Sequence, residues 1–126
     1  MLLVTNNPML IQAHVKFPVE ALTGDYGEVL QTVKTYIIDQ QMILLTHPLS
    51  GSIKPNETYY KSIVLDKGED GTIDLSSLGY IEQAIDVYNS FIKNKQRPNW
   101  TASVLKDFAY VDYYLMESTF ERMLIH

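Results

Sequence analysis

Cysteine is absent from the 126 residues. That excludes a disulfide framework, a thiolate metal site, an iron–sulfur cluster and a thiol nucleophile. Long apolar runs are missing as well. Residues 1–4, 9–11, 42–45 and 123–125 are runs of only three or four, and a membrane-spanning helix needs about 20 largely apolar residues. No basic segment precedes Leu2-Leu3-Val4, so the start does not read as a secretory signal and the expected location is cytoplasmic. Asn56-Glu57-Thr58 and Asn99-Trp100-Thr101 fit the glycosylation triplet, but without an export signal they read as chance matches. Basic residues are outnumbered, ten Lys and Arg against fifteen Asp and Glu, for a formal net charge of −5. Nucleic acid and anionic membrane both attract clustered positive charge, so neither is an expected partner.

Familiar chemical motifs are missing too. There is no His-x-x-x-His, no Glu-x-x-His, no Asp-x-Asp-x-Asp loop, no Gly-x-Ser-x-Gly and no Walker or dinucleotide glycine pattern. No metal and no cofactor is expected on these grounds.

What remains is an ordinary globular composition, 46% hydrophobic and 20% charged, in a chain of single-domain length. Leu2-Leu3-Val4-Thr5 reads as a buried strand that leaves through Asn6-Asn7-Pro8, and residues 9–13 as one short helical turn. His14-Val15-Lys16-Phe17-Pro18-Val19 alternates with period two and predicts a second strand. Asp25 followed by Glu28 has capping-box spacing and opens a helix to about Gln40, with Tyr26, Val29, Leu30, Val33 and Ile37 on its apolar face. Residues 42–46 form a continuous apolar run that predicts a strand buried on both faces, and residues 59–65 predict a fourth strand. A helix capped by Ser76 or Ser77 follows, with Leu78, Ile81, Ala84, Ile85, Tyr88, Phe91 and Ile92 inward, and ends at Arg97-Pro98. The last helix starts at Asn99 or Thr101, with Val104, Leu105, Phe108, Val111, Leu115 and Met123 inward. The expected architecture is a small single α/β domain: a mostly parallel sheet of about four strands with helices packed on it.

Both Leu2-Leu3-Val4-Thr5-Asn6-Asn7-Pro8 and Leu44-Leu45-Thr46-His47-Pro48 read as apolar strand, threonine, polar exit and proline. If the two strands are parallel neighbours that end at one edge of the sheet, their loops face each other, and α/β sheets bind ligands at the carboxyl ends of their strands. The loop 47–58 is the densest polar segment of the chain. Gly51 between Ser50 and Ser52 offers backbone N–H groups for an anion, Lys54 adds a point charge, and Asn56 and Glu57 add an amide and a carboxylate. His47 is the best acid–base candidate, because imidazole titrates near neutrality; His14 and His126 are weaker ones. Ser50, His47 and Glu57 are the residue types of a hydrolytic triad but lack its motif. The candidate ligand set is therefore Asn6, Asn7, His47, Ser50, Gly51, Ser52, Lys54, Asn56 and Glu57. Tyr110, Tyr113 and Tyr114 lie on the last helix, and Tyr113 and Tyr114 cannot both face the same core as Phe108 and Val111, so the 99–125 helix is a candidate homodimer contact.

Val4-Thr5-Asn6-Asn7-Pro8, the block Leu44-Leu45-Thr46-His47-Pro48-Leu49-Ser50-Gly51-Ser52-Ile53-Lys54-Pro55-Asn56-Glu57-Thr58, then Tyr60-Lys61-Ser62 and Ile81-Glu82-Gln83-Ala84 together resemble the GrdX family. The resemblance covers the chain to about residue 95 and leaves the last helix unmatched. Where the family pattern has proline after Asn-Glu-Thr, this chain has Tyr59. The family's members are small proteins encoded beside the glycine/sarcosine/betaine reductase complex of amino-acid-fermenting anaerobes. The resemblance therefore implies an accessory role near that complex, with a reductase component or a small anionic ligand as partner, and it carries over no catalytic mechanism. The reductase's own redox work needs selenocysteine or thiols, which this chain lacks. The alternative expectation is a small enzyme, with Ser50, Gly51, Ser52 and Lys54 holding an anion while His47 moves a proton.

Overall fold

β1 (Leu2–Thr5) is an apolar run ending in threonine, and it lies inside a four-stranded sheet of order β2 (Val19–Ala21), β1, β4 (Ser62–Asp66), β3 (Ile43–Leu44). The computed structural model describes residues 1–13, 15–49, 57–69, 71–94 and 98–124. After β1 come α1 (Pro8–Gln12), β2 (Val19–Ala21), α2 (Tyr26–Asp39), β3 (Ile43–Leu44), β4 (Ser62–Asp66), α3 (Leu75–Asn94) and α4 (Ala102–Leu124). The small α/β class is as expected, but the sheet is mixed rather than mostly parallel. β1 pairs parallel with β2, whereas β4 runs antiparallel to both β1 and β3. The loop after β3 returns the chain into the gap between β1 and β3, so β4 must run against both neighbours.

Side chains alternate across β1 and β4, and the register Leu3↔Val64, Val4↔Ile63 sorts them onto two faces. On one face Val4, Ile63 and Leu65 join Val29, Leu30, Val33 and Ile37 of α2 and Ile81, Ala84 and Tyr88 of α3. On the other, Leu3 and Val64 pack with Leu10 of α1 and with Met116 and Phe120 of α4. The sheet thus sits between two helix layers. α2 begins as its sequence predicts, with the Asp25 carboxylate accepting from the Glu28 N–H at 3.1 Å. α3 is capped by Asp74 rather than by Ser76 or Ser77, which lie inside its first turn, because the Asp74 carboxylate accepts from both the Ser77 N–H and the Ser77 hydroxyl.

Three local expectations shift. The strand predicted over 14–19 forms instead at Val19–Ala21. Pro18 has no N–H to give a ladder, and it contributes only its carbonyl, which accepts from the Leu3 N–H at 2.9 Å. β3 is only Ile43–Leu44 and is partly buried, because it is an edge strand rather than a central one. On α4, Val111 and Leu115 are exposed, and the buried positions are Ala109, Met116 and Phe120. No described helix is long and apolar enough to cross a membrane.

Candidate functional site

Because β4 opposes β1 and β3, those two strands stop at the same end of the sheet, where β4 begins. The exits Asn6-Asn7 and Thr46-His47 therefore flank the start of β4. Each exit is pinned. Asn6 donates through Nδ2 to the carbonyls of Gly24 and Tyr59, both at 2.9 Å, and its Oδ1 accepts from the Lys61 N–H at 2.9 Å. Thr46 Oγ1 accepts from the Val64 N–H at 3.1 Å. Asn7 caps α1 by accepting from the Met9 N–H, and its Nδ2 reaches across to α4, where it donates to the Ala109 carbonyl at 2.8 Å and to Asp112 Oδ2 at 2.9 Å.

The cross-strand pair Thr5↔Ser62 brings two hydroxyls together at 2.7 Å. Ser62 Oγ in turn donates to Asp112 Oδ2 at 2.6 Å. Thr5 and Ser62 are buried, so this chain of bonds is closed off from water behind Asp112. Next to it Lys61 is only 5% exposed, with Nζ 5.8 Å from the centre of the Tyr26 ring. Burial pushes the Lys61 ammonium down to about 8, against the field of Asp112, which favours the charged form. Burial likewise pushes the Asp112 carboxyl above the usual carboxylate range, while the bonds from Ser62 and Asn7 and the charge of Lys61 pull it back.

These groups border a cavity of about 520 Å³ between the end of the sheet and α4. Thr46, His47, Lys61, Ser62, Asp112 and Arg122 supply its polar wall. Leu45, Leu115, Met116 and Met123 supply apolar surface beside them. That size is typical of small-molecule pockets, and the wall mixes polar side chains with an apolar strip. Lys61 and Arg122 give it the means to hold an anion, and the Asp112 carboxyl, raised by burial, the means to take or give a proton.

The sequence-predicted residues divide as follows. His47 lies in the cavity wall; its Nδ1 accepts from the Leu49 N–H at 3.0 Å, which places the neutral ring's proton on Nε2, and its ring sits 5.3 Å from that of Tyr80. Asn7 stands one bond behind the wall, on Asp112. Asn6 bonds to backbone with every polar atom of its side chain. Glu57 is partly buried, and its carbonyl accepts from Trp100 Nε1 at 2.6 Å. Ser50, Gly51, Ser52, Lys54 and Asn56 lie outside the described residues, as do His14 and His126. Among the described residues no group of three or more His, Asp or Glu is arranged to hold a metal ion.

Sequence reasoning missed Lys61, Ser62, Asp112 and Arg122. A signal existed for two of them. Lys61 abuts the apolar run Ile63-Val64-Leu65, and Asp112 falls at helical spacing between Ala109 and Met116, a carboxylate on a buried stripe. No curated protein and no solved structure is significantly similar to the chain. A family model described as GrdX-like protein matches residues 2–121, through nearly all of α4 and so well beyond the segments that first carried the likeness, and the chain belongs to that family.

Proposed function

We propose that this protein binds a small anionic ligand in the cavity where β1 and β3 end, and that it serves as an accessory of the glycine/sarcosine/betaine reductase system to which the family's genes lie next. The observation that carries the binding reading is the gathering of His47, Lys61 and Arg122 around one cavity with the hydroxyls of Thr46 and Ser62. Cations beside hydroxyl donors in a partly apolar recess stabilise a carboxylate or phosphate better than bulk water does. The loop residues Ser50, Gly51, Ser52 and Lys54 belong to the proposed ligand set on their chemistry.

Thermal unfolding with acetate and with inorganic phosphate tests the binding. An anion present at a hundredfold over its Kd adds about 2.7 kcal/mol, a rise of roughly 10 °C for a chain of this size. Arg122→Gln and His47→Ala are expected to weaken that rise, because both lie in the wall. A wild-type chain indifferent to both anions overturns the reading. The accessory role is tested by co-purification: a tagged chain expressed with the reductase components is expected to retain one of them, and failure to retain any counts against it.

A further inference from the structure

The hydrogen bonds around Asp112 all fall on one of its oxygens. Ser62 Oγ donates to Oδ2 at 2.6 Å and Asn7 Nδ2 donates to the same atom at 2.9 Å. The bonds behind them have a fixed direction. The Asn7 N–H donates to Thr5 Oγ1 at 3.0 Å, and the proton of Ser62 is committed to Asp112, so Thr5 donates to Ser62 across their 2.7 Å contact. Among the described residues Oδ1 receives no hydrogen bond. Asp112 is half-buried, so one oxygen doubly served and the other unserved leaves a single acceptor for whatever fills the space beside it. Asp112 is part of the cavity wall, so the free acceptor and the cavity belong to one site.

We propose that the cavity takes a zwitterion, a molecule whose protonated amine docks on Asp112 Oδ1 while its anionic group lies toward Arg122 and Lys61. This rests on the anion-binding reading above and names the ligand class for it. A simple cation is repelled by the two positive side chains of the wall, and a simple anion leaves Asp112 Oδ1 unserved. A ligand carrying both charges answers both conditions through charge-assisted bonds. The apolar wall of Leu45, Leu115, Met116 and Met123 gives an aliphatic chain a place to lie. Aliphatic amino acids and aminoalkyl phosphates both fit this description.

Paired ligands that differ only in the amine decide the matter. Leucine is compared with 4-methylpentanoate, and 2-aminoethyl phosphate with ethyl phosphate, by calorimetry on the wild-type protein. The amine-bearing member of one pair is expected to bind about tenfold or more tighter, and which pair shows the larger gain distinguishes carboxylate from phosphate. Asp112→Asn keeps an oxygen for Ser62 and Asn7 and puts an NH2 donor where Oδ1 was, so the preference is expected to vanish or invert while 4-methylpentanoate still binds. The wild-type comparison needs no variant, so an Asp112→Asn chain that fails to fold leaves the test standing. Equal binding within both pairs overturns the zwitterion proposal and leaves the anion site intact. A preference that survives Asp112→Asn also overturns it. Binding of no anion of either kind overturns the anion reading itself.

Discussion

The side-chain amide of Asn6 joins the exit of β1 to two other segments, through Gly24 before α2 and through Tyr59 and Lys61 before β4. Asn6 and Lys61 are each 5% exposed, so water cannot replace what a truncation removes. Asn6→Ala leaves the Lys61 N–H and two carbonyls without this partner. The expected loss is about 2–4 kcal/mol by urea unfolding, from the stranded buried donor together with the lost bonds. A loss under about 0.5 kcal/mol, typical of an ordinary surface change, would show that the clip contributes little. This residue also illustrates what the sequence can and cannot tell. That Asn6 and Asn7 mark a sharp exit is legible from Asn-Asn-Pro. That Asn6 faces backbone while Asn7 faces a carboxylate on α4 is not, because the partner lies 105 positions away and no local pattern encodes it.

At the scale of elements, the start of α2 depends on a close approach to α3. The rings of Tyr26 and Tyr88 stack at 5.5 Å with planes 5° apart, and Tyr88 Oη donates to Asp25 Oδ2 at 3.3 Å. A Cβ on Gly27 would sit 2.7 Å from the Tyr88 ring, so only glycine fits beneath it. Gly27→Ala therefore sets two effects against each other. Helix propensity gains about 1 kcal/mol, while forcing the ring aside costs roughly 1–3 kcal/mol. Net destabilisation is expected, read from the urea midpoint. Replacing Tyr88 by Leu in the same chain is expected to return the propensity gain, so the double variant should lose less than the two single losses added together. Both helices were legible from their apolar stripes, whose spacing matches the buried positions, and α2 also from its cap, whereas the cap of α3 is Asp74 rather than the predicted serine. α4 was legible as a helix but not in its rotation. Its true stripe, Ala109, Asp112, Met116 and Phe120, contains a carboxylate and a small residue, whereas Val111 and Leu115 score as more hydrophobic and are exposed. Hydropathy alone therefore selects the wrong face, and the error conceals Asp112, the residue that links α4 to the sheet.

For the whole molecule, strand direction was half legible. The matching exits after β1 and β3 suggest parallel neighbours that end together; the two strands do end together, but they are not neighbours, because β4 lies between them. Strand pairing across a long return loop depends on which edge the chain re-enters, which periodicity does not carry. That insertion is what drives Lys61, the residue before β4, into the junction of sheet, α2 and α4, and it gives the molecule a pH dependence with a definite sign. An unfolded lysine titrates near 10.4, whereas burial lowers folded Lys61 to about 8. Between those values the folded chain binds fewer protons, so stability rises with pH, and below about 8 the burial penalty is constant. Asp112 works in the opposite sense and elsewhere. Its raised carboxyl favours the folded state in acid, and that advantage is lost as pH climbs from the ordinary carboxylate value through the folded one. Tyr26 sets the upper limit: burial, with the charges of Asp112 and Tyr88, holds its phenol protonated, so above pH of about 10 the unfolded chain loses protons first and stability falls. Urea unfolding of the wild type is expected to gain about 2 kcal/mol between pH 7.5 and 9.5, and the same measurement on Lys61→Met to lack that gain. A wild type and a variant with the same slope over this window would mean that Lys61 keeps an ordinary pKa in the folded chain. The burial that defines this end of the cavity would then be shallower than its 5% exposure indicates.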